Sequence, residues 1–291
     1  MNPRGTAAPA AVPSVGPLSE IRSQTLFLRV GGRLFAIDCE CEQTRGLIET
    51  VFSALVCPAP AGERPSRRYN VIGPDPSGQF AIEDETGSRS TDALDVLIYR
   101  IDKKITIALQ LERPDLFFLH AAAVSVNGRV VAMPAFPGTG KSTLTLALVE
   151  NGLEYLSDEL APVDLRSLTV EPYPHAVCLK SPPPEPYALP RGTVHVNKRW
   201  HVPVESLATT TRRDPLPLTA IAFLRRDGTR FRGLRPLTAA SAATCLMAHV
   251  LNGLAHQHYG LDAAISLSRA VPCFELDVTD LPAAVREIAA L

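Results

Sequence analysis

Apolar and polar residues along this chain follow two rhythms: the period-two alternation of half-buried strands and, in fewer places, the spacing of an amphipathic helix. Leu26-Phe27-Leu28-Arg29-Val30 and Leu34-Phe35-Ala36-Ile37 flank Gly31-Gly32 and predict a hairpin. From Cys41 to Ala54 a helix is predicted, with Leu47, Ile48, Val51 and Phe52 on one face. Prolines 58, 60 and 65 predict a loop over 58–69, followed by strands near 68–72, 80–83 and 105–109 around a helix at 91–99. The run Val124-Ser125-Val126-Asn127-Gly128-Arg129-Val130-Val131 is the clearest hairpin, because Asn-Gly between alternating strands favours a type I′ turn.

The second arm of that hairpin leads into the stretch that carries chemistry. The apolar Val130-Val131-Ala132-Met133 precedes Gly138-Thr139-Gly140-Lys141-Ser142-Thr143, and Leu144-Thr145-Leu146-Ala147-Leu148-Val149 follows with helical spacing. Strand, tight turn and helix in that order suit a phosphate chain, since the free N–H groups and dipole of a helix N-terminus favour negative charge. Gly138 and Gly140 let the backbone approach closely, Lys141 supplies a mobile positive charge, and the Ser142 hydroxyl is placed for Mg²⁺. The match is to the second half of G-x-x-x-x-G-K-[ST], with Ala135 at the first glycine. Downstream, Asn151-Gly152 stops the helix, and a strand over 153–156 delivers Asp158 and Glu159 at its end. Acids at a strand end beside a phosphate loop commonly meet the metal, and two can divide the work between metal and acceptor hydroxyl.

With these residues in place, His120, the loop Gly138 to Ser142, Gly152 and Ser157-Asp158-Glu159 resemble the core of the HPr kinase/phosphorylase family. In that family a histidine opens the strand pair before the loop, and two acids follow the loop's helix. Pro134-Ala135, Ser157-Asp158-Glu159-Leu160 and Leu179-Lys180 extend the likeness to the HPr-kinase-related proteins, some of which modify peptides. The resemblance covers about half the chain. It implies an α/β P-loop kinase core of the HPr kinase/PEP carboxykinase type over 116–291, preceded by a small α+β domain over 23–115. It also implies ATP, or another nucleoside triphosphate such as GTP, with Mg²⁺, and a hydroxyl acceptor on a protein, peptide or small molecule, serine being favoured. Carried over, Asp158 is the general base, Glu159 and Ser142 are metal ligands, Lys141 clamps phosphate and His120 lines the pocket. The loop residues Gly138, Thr139, Gly140, Lys141, Ser142 and Thr143 bind the nucleotide. Glu159 stands where the authentic kinase has a second Asp, Thr143 where it commonly has Glu, and Ala121 where a glycine usually follows the histidine. The rival reading is a nucleotide-binding regulatory or scaffold module with little transfer. The authentic kinases form hexamers, so the resemblance admits a homo-oligomer, while this chain's extra N-terminal segment leaves the oligomeric state open.

Beyond the acids the pattern stays β-rich, with strands at 168–170 and 176–179 and a proline-broken loop at 181–186. Arg191 to His201 is a positive segment read either as a phosphate-steadying loop or as a solvated edge strand. Strand 220–224 turns at Asp227-Gly228, and arginines 225, 226, 230 and 232 are assigned to its solvent face. A helix is predicted over 238–254, with Leu246, His249, Val250 and Leu254 at core spacing, then a helix at 262–269, a strand at 271–278 and a final helix. Asp280 or Thr279 would cap that helix, with Pro282 in its first turn.

A 46% hydrophobic, 20% charged chain of net charge −1 has a core to bury and no charge excess to draw nucleic acid or an anionic membrane. Its length of 291 residues suits one large or two modest domains, and no run spans a bilayer. Residues 1–22, rich in Ala, Pro, Gly and Ser, are expected to be disordered and carry no signal-peptide core. Six scattered cysteines without a CxxC pair suggest reduced thiols and a cytoplasmic protein. Cys39 and Cys41 lack further ligands nearby, and His249, His256 and His258 lack a carboxylate or cysteine at zinc spacing.

Overall fold

The structure is a computed structural model and describes residues 24–59, 61–226 and 233–291. The expected N-terminal tail, and the Asp227-Gly228 turn with Arg230 and Arg232, lie outside the described residues. The described residues build a mixed α/β fold from a six-stranded, a nine-stranded and a three-stranded sheet.

In the six-stranded sheet, Gln24–Val30 pairs antiparallel with Arg33–Cys39, and Arg67–Ile72 lies parallel to Arg33–Cys39. Phe80–Asp84 and Gly87–Thr91 then extend it antiparallel. The helix Leu94–Glu112 covers the sheet with a buried stripe of Leu97, Ile98, Ile101, Ile105, Ala108 and Leu109. That helix corrects two expectations, the strand at 105–109 and the helix end at 99. Ile105-Thr106-Ile107-Ala108-Leu109 alternates like a strand in isolation. Its buried members nevertheless continue the helical stripe, and Ile107 and Leu111 point to solvent. Packing against the sheet overrides the local β preference of the isoleucines.

The nine-stranded sheet runs Glu154–Ser157, Ala121–Val126, Arg129–Pro134, Leu216–Arg225, Thr169–Val170, Ala161–Asp164, Leu116–Leu119. Cys273–Asp277 pairs parallel with Leu216–Arg225, and Leu234–Pro236 pairs with Cys273–Asp277. Its central strands are mostly apolar because both faces are covered. On one face, Ala122, Val124, Val131 and Met133 meet Leu144, Ala147 and Leu148 of the helix Lys141–Glu150 and Ile288 of the helix Leu281–Ala289. On the other, Ala121, Ala123, Val130 and Ala132 meet Ala242, Leu246, Ala264 and Leu267 of the helices Ala239–Met247 and Leu261–Ala270. Asn127 and Gly128 take φ of 51° and 76°, the two positive values a type I′ turn requires. Asp280 accepts from the Ala283 N–H and caps the last helix.

The helix expected over 238–254 ends at Met247, and Leu254 is exposed rather than buried. Segment 249–252 is committed elsewhere. It lies along the edge of Leu116–Leu119, with the His120 N–H donating to His249 O at 2.8 Å and the Leu251 N–H to Phe118 O at 2.9 Å. Buried Asn252 completes this seam, its Oδ1 accepting from the Phe118 N–H at 3.0 Å and its Nδ2 donating to Leu116 O at 2.8 Å. Asn252→Ala would orphan the buried Phe118 N–H and leave Leu116 O to His256 alone, and we expect it to lower stability by about 2 kcal/mol in urea unfolding. A loss under about 1 kcal/mol would mean the seam does not hold the strand that presents His120.

One apolar cluster joins Leu28, Phe35, Ile37, Leu97 and Ile101 with Phe118, Leu160, Tyr173, Ala176 and Val196, so the early sheet and later elements share packing. Val194–Val196 and Arg199–Val202 form a hairpin in the three-stranded sheet with Val177–Leu179. Among the described residues, no helix is long and apolar enough to cross a membrane.

Candidate active site

The strand Arg129–Pro134 and the helix Lys141–Glu150 are joined by a loop in which Gly138 and Gly140 adopt φ of 87° and 110°. Both values are left-handed and would strain any side-chain-bearing residue, which is why the loop needs glycine there. Gly140 is the residue before the helix, so the N–H groups of Lys141, Ser142 and Thr143 lead it without intrahelical acceptors.

Lys141 is almost wholly buried, its Nζ donating to the main-chain oxygen of Asp158. The same nitrogen lies 3.9 Å from Asp158 Oδ1 and 3.9 Å from Glu159 Oε2. Thr145 Oγ1 sits between Lys141 O, at 2.9 Å, and Asp158 Oδ1, at 3.3 Å. Asp158 has no exposed surface, and its Oδ2 has no hydrogen-bond partner. Burial raises its proton affinity above the ordinary carboxylate range; Lys141 opposes this and the Glu159 charge adds to it.

Glu159 faces the cavity and behaves oppositely. Burial alone would raise it, but Lys141, the His120 hydrogen bond and Lys103 outweigh burial and hold the carboxyl well below its ordinary range. His120 Nε2 lies 3.1 Å from Glu159 Oε2, and beside an ionised carboxylate that nitrogen carries the proton. His249, behind His120, has its ring centroid 4.6 Å from that of Phe136 and is pushed down to about 4 by burial and the neighbouring His120.

These residues open onto a cavity of about 660 Å³, within the usual range for small-molecule sites. Gly138, Gly140, Lys141, Ser142, Thr143, His120 and Glu159 line it, so the structure brings these predicted residues together. Thr139 and Asp158 do not line it, and Asp158 lies beneath Lys141. Of the positive segment, Arg199 lines the cavity while Arg191 and Lys198 are exposed outside it.

Sequence reasoning missed three groups. Lys103 lies 4.0 Å from Glu159 Oε2, and Asp102 is buried beside it, accepting from Tyr173 Oη at 2.8 Å. A single carboxylate within the stripe Leu97, Ile98, Ile101, Ile105 is the signal that would have exposed Asp102, had 94–112 been read as one helix. Arg226, assigned to a solvent face, is exposed and also lines the cavity beside Gly140.

The three histidines weighed as a zinc set are separate: His256 Nε2 lies 3.1 Å from Leu116 O, and exposed His258 pairs with Asp262 at 2.6 Å. Among the described residues, no three or more His, Cys, Asp or Glu side chains are grouped to hold a metal ion. Mg²⁺ needs less, since one or two carboxylates with substrate phosphates commonly suffice. The hard oxygens of Ser142 and of ionised Glu159 fit such an ion.

No protein-family model and no curated protein matches the chain. Among solved structures, the Hpr(Ser) kinase/phosphatase from Coxiella burnetii aligns over 60% of this chain and 93% of its own, at 14% identity and a TM-score of 0.31. At that score the likeness is a distant one of shape.

Proposed function

We propose that the protein is a Mg²⁺-dependent phosphotransferase that moves the γ-phosphate of ATP, or another nucleoside triphosphate, to a hydroxyl. The observation that carries this reading is the convergence on one cavity of a left-handed glycine loop, the helix-leading Lys141 and Ser142, and the ionised Glu159.

The acceptor oxygen forms a bond to the γ-phosphorus, the bond from that phosphorus to the β–γ bridging oxygen breaks, and the acceptor proton passes to a carboxylate. Transfer of this kind depends on positioning and charge neutralisation. Lys141 and the loop N–H groups bind the phosphates, and Arg226 adds positive charge beside Gly140. Ser142 and Glu159 would hold Mg²⁺, which neutralises phosphate charge when bound. His120 fixes the Glu159 carboxylate through its hydrogen bond. Asp158 is the base in this reading. Its raised proton affinity suits the task, and Lys141 ties its main chain to the loop.

One observation favours the rival, a nucleotide-binding module without transfer: Asp158 is covered and does not face the cavity. Intact-mass detection of phosphate on free serine, serine peptides and an HPr-type protein, with Mg·ATP and Mg·GTP, separates the two. A gain of one phosphate that disappears in Lys141→Met supports the transferase. Bound nucleotide with no transfer to any acceptor class would favour the module.

A further inference from the structure

The cavity continues past the acids. Beyond Glu159 it runs between the helix Leu94–Glu112 and the three-stranded sheet, where Asp95, Asp102, His175, Arg199 and His201 wall it. Distances order these groups: Lys141 Nζ to Glu159 Oε2, 3.9 Å; Glu159 Oε2 to Lys103 Nζ, 4.0 Å; Lys103 Nζ to Asp102 Oδ2, 3.6 Å; Asp102 Oδ1 to His175 Nε2, 4.0 Å. This chamber is therefore linked to the loop's Lys141 through Glu159, Lys103 and Asp102, and an acceptor standing in it would be separate from the glycine loop.

Two of its walls are unfinished. His175 and His201 are only 5% and 4% exposed, yet His175 Nε2 and both ring nitrogens of His201 make no hydrogen bond. Buried polar groups are as a rule paired, so three unpaired nitrogens on two side chains that line one cavity point to a ligand that pairs them. Their polarity describes that ligand. His175 Nδ1 lies 2.8 Å from Ala176 O, and a carbonyl only accepts, so Nδ1 carries the proton and Nε2 presents a lone pair. Burial above all pushes His201 down to about 4, leaving a neutral ring with one donor and one acceptor. Asp95 and Asp102 add acceptors, and Arg199 adds a donor at the edge.

We infer that this chamber holds the phosphoryl acceptor, and that the acceptor is a small alcohol bearing further O–H or N–H donors; the inference rests on the phosphotransferase reading above. A serine on a folded protein offers one short hydroxymethyl group and leaves the deeper nitrogens unmet. A polyol, a sugar or a hydroxy amino acid fills the chamber and meets them.

The test measures phosphorylated product by mass spectrometry, from Mg·ATP and Mg·GTP, with L-serine, L-homoserine, ethanolamine, glycerol, D-ribose and myo-inositol. A serine peptide and a folded HPr-type protein are run beside them. Parent, His201→Phe and the half-buried rim variant Asp95→Asn are compared, with folding checked by circular dichroism. The expected result is transfer to at least one small alcohol. Its KM should rise about tenfold in His201→Phe and about threefold in Asp95→Asn, with the nucleotide KM moving less than about twofold. Should His201→Phe fail to fold, Asp95→Asn alone decides. Transfer confined to the peptide or protein overturns the inference and leaves the phosphotransferase reading standing, whereas nucleotide binding with no transfer to any acceptor overturns the inference and favours the binding module. A nucleotide KM that rises with the acceptor KM would assign the chamber to the nucleotide and overturn it too. A parent that binds no nucleotide would instead sink the phosphotransferase reading itself.

Discussion

Asp158→Asn is expected to lower phosphoryl transfer about a thousandfold, the usual effect of removing a general base, while nucleotide affinity changes less than about threefold. The same variant should behave in an unusual way in stability. The folded protein holds the Asp158 proton more tightly than the unfolded chain does, so this residue's contribution to stability is fully present below the ordinary value of 3.8. That contribution is lost as pH rises through the raised folded-state value. Asparagine carries no such proton, so the stability of Asp158→Asn relative to the parent should climb with pH over that window. Chemical denaturation at a series of pH values measures this. A relative stability that is flat with pH, or a variant that transfers phosphate at the parent rate, would remove Asp158 from the role given to it.

The second large effect belongs to Lys141→Met, which keeps the buried stem and deletes the charge. Transfer should fall about a thousandfold or more, because the phosphates lose their mobile cation and developing charge goes unneutralised. Stability should fall by about 3 kcal/mol at neutral pH, because a buried carboxylate that loses its counter-charge is left uncompensated. The direction with pH follows from Asp158. In the variant its proton affinity rises further, so the deficit shrinks as acid protonates it and widens as pH rises. A deficit that grows toward low pH would mean the lost packing of Lys141, and not its charge, is what the fold feels.

The parts of the site that could be read from the chain are those that local rules dictate. Asn127-Gly128 specifies its own turn, and Gly138 and Gly140 take backbone angles open to little else, so strand, loop and helix were visible in order. The acids at the end of Glu154–Ser157 came with them, because a helix stop followed by a short apolar run fixes where the strand ends. What stayed hidden depends on partners distant in sequence. Lys103 and Asp102 reach the site only because 94–112 is one helix, and Ile105 to Leu109 alternate convincingly enough to conceal it. The seam of 249–252 against Leu116–Leu119 is a pairing across about 130 residues that no local pattern announces. Arg226 looks like any charge at a strand end until the glycine loop is placed beside it.

The apolar cluster that joins the first sheet to Leu160, Tyr173, Ala176 and Val196 bears on how the chain is made as well as on how it is held. During synthesis the first 112 residues emerge with Leu28, Phe35, Ile37 and Ile101 ready to pack. The residues that close that core are still unmade, and Val196 follows on the order of ten seconds later at ordinary elongation rates. The first half must therefore wait, incompletely closed, for a strand and a hairpin from the second. Calorimetry of the full chain should show one heat-absorption peak, and a chain cut after Glu112 should expose apolar surface that an intact protein covers.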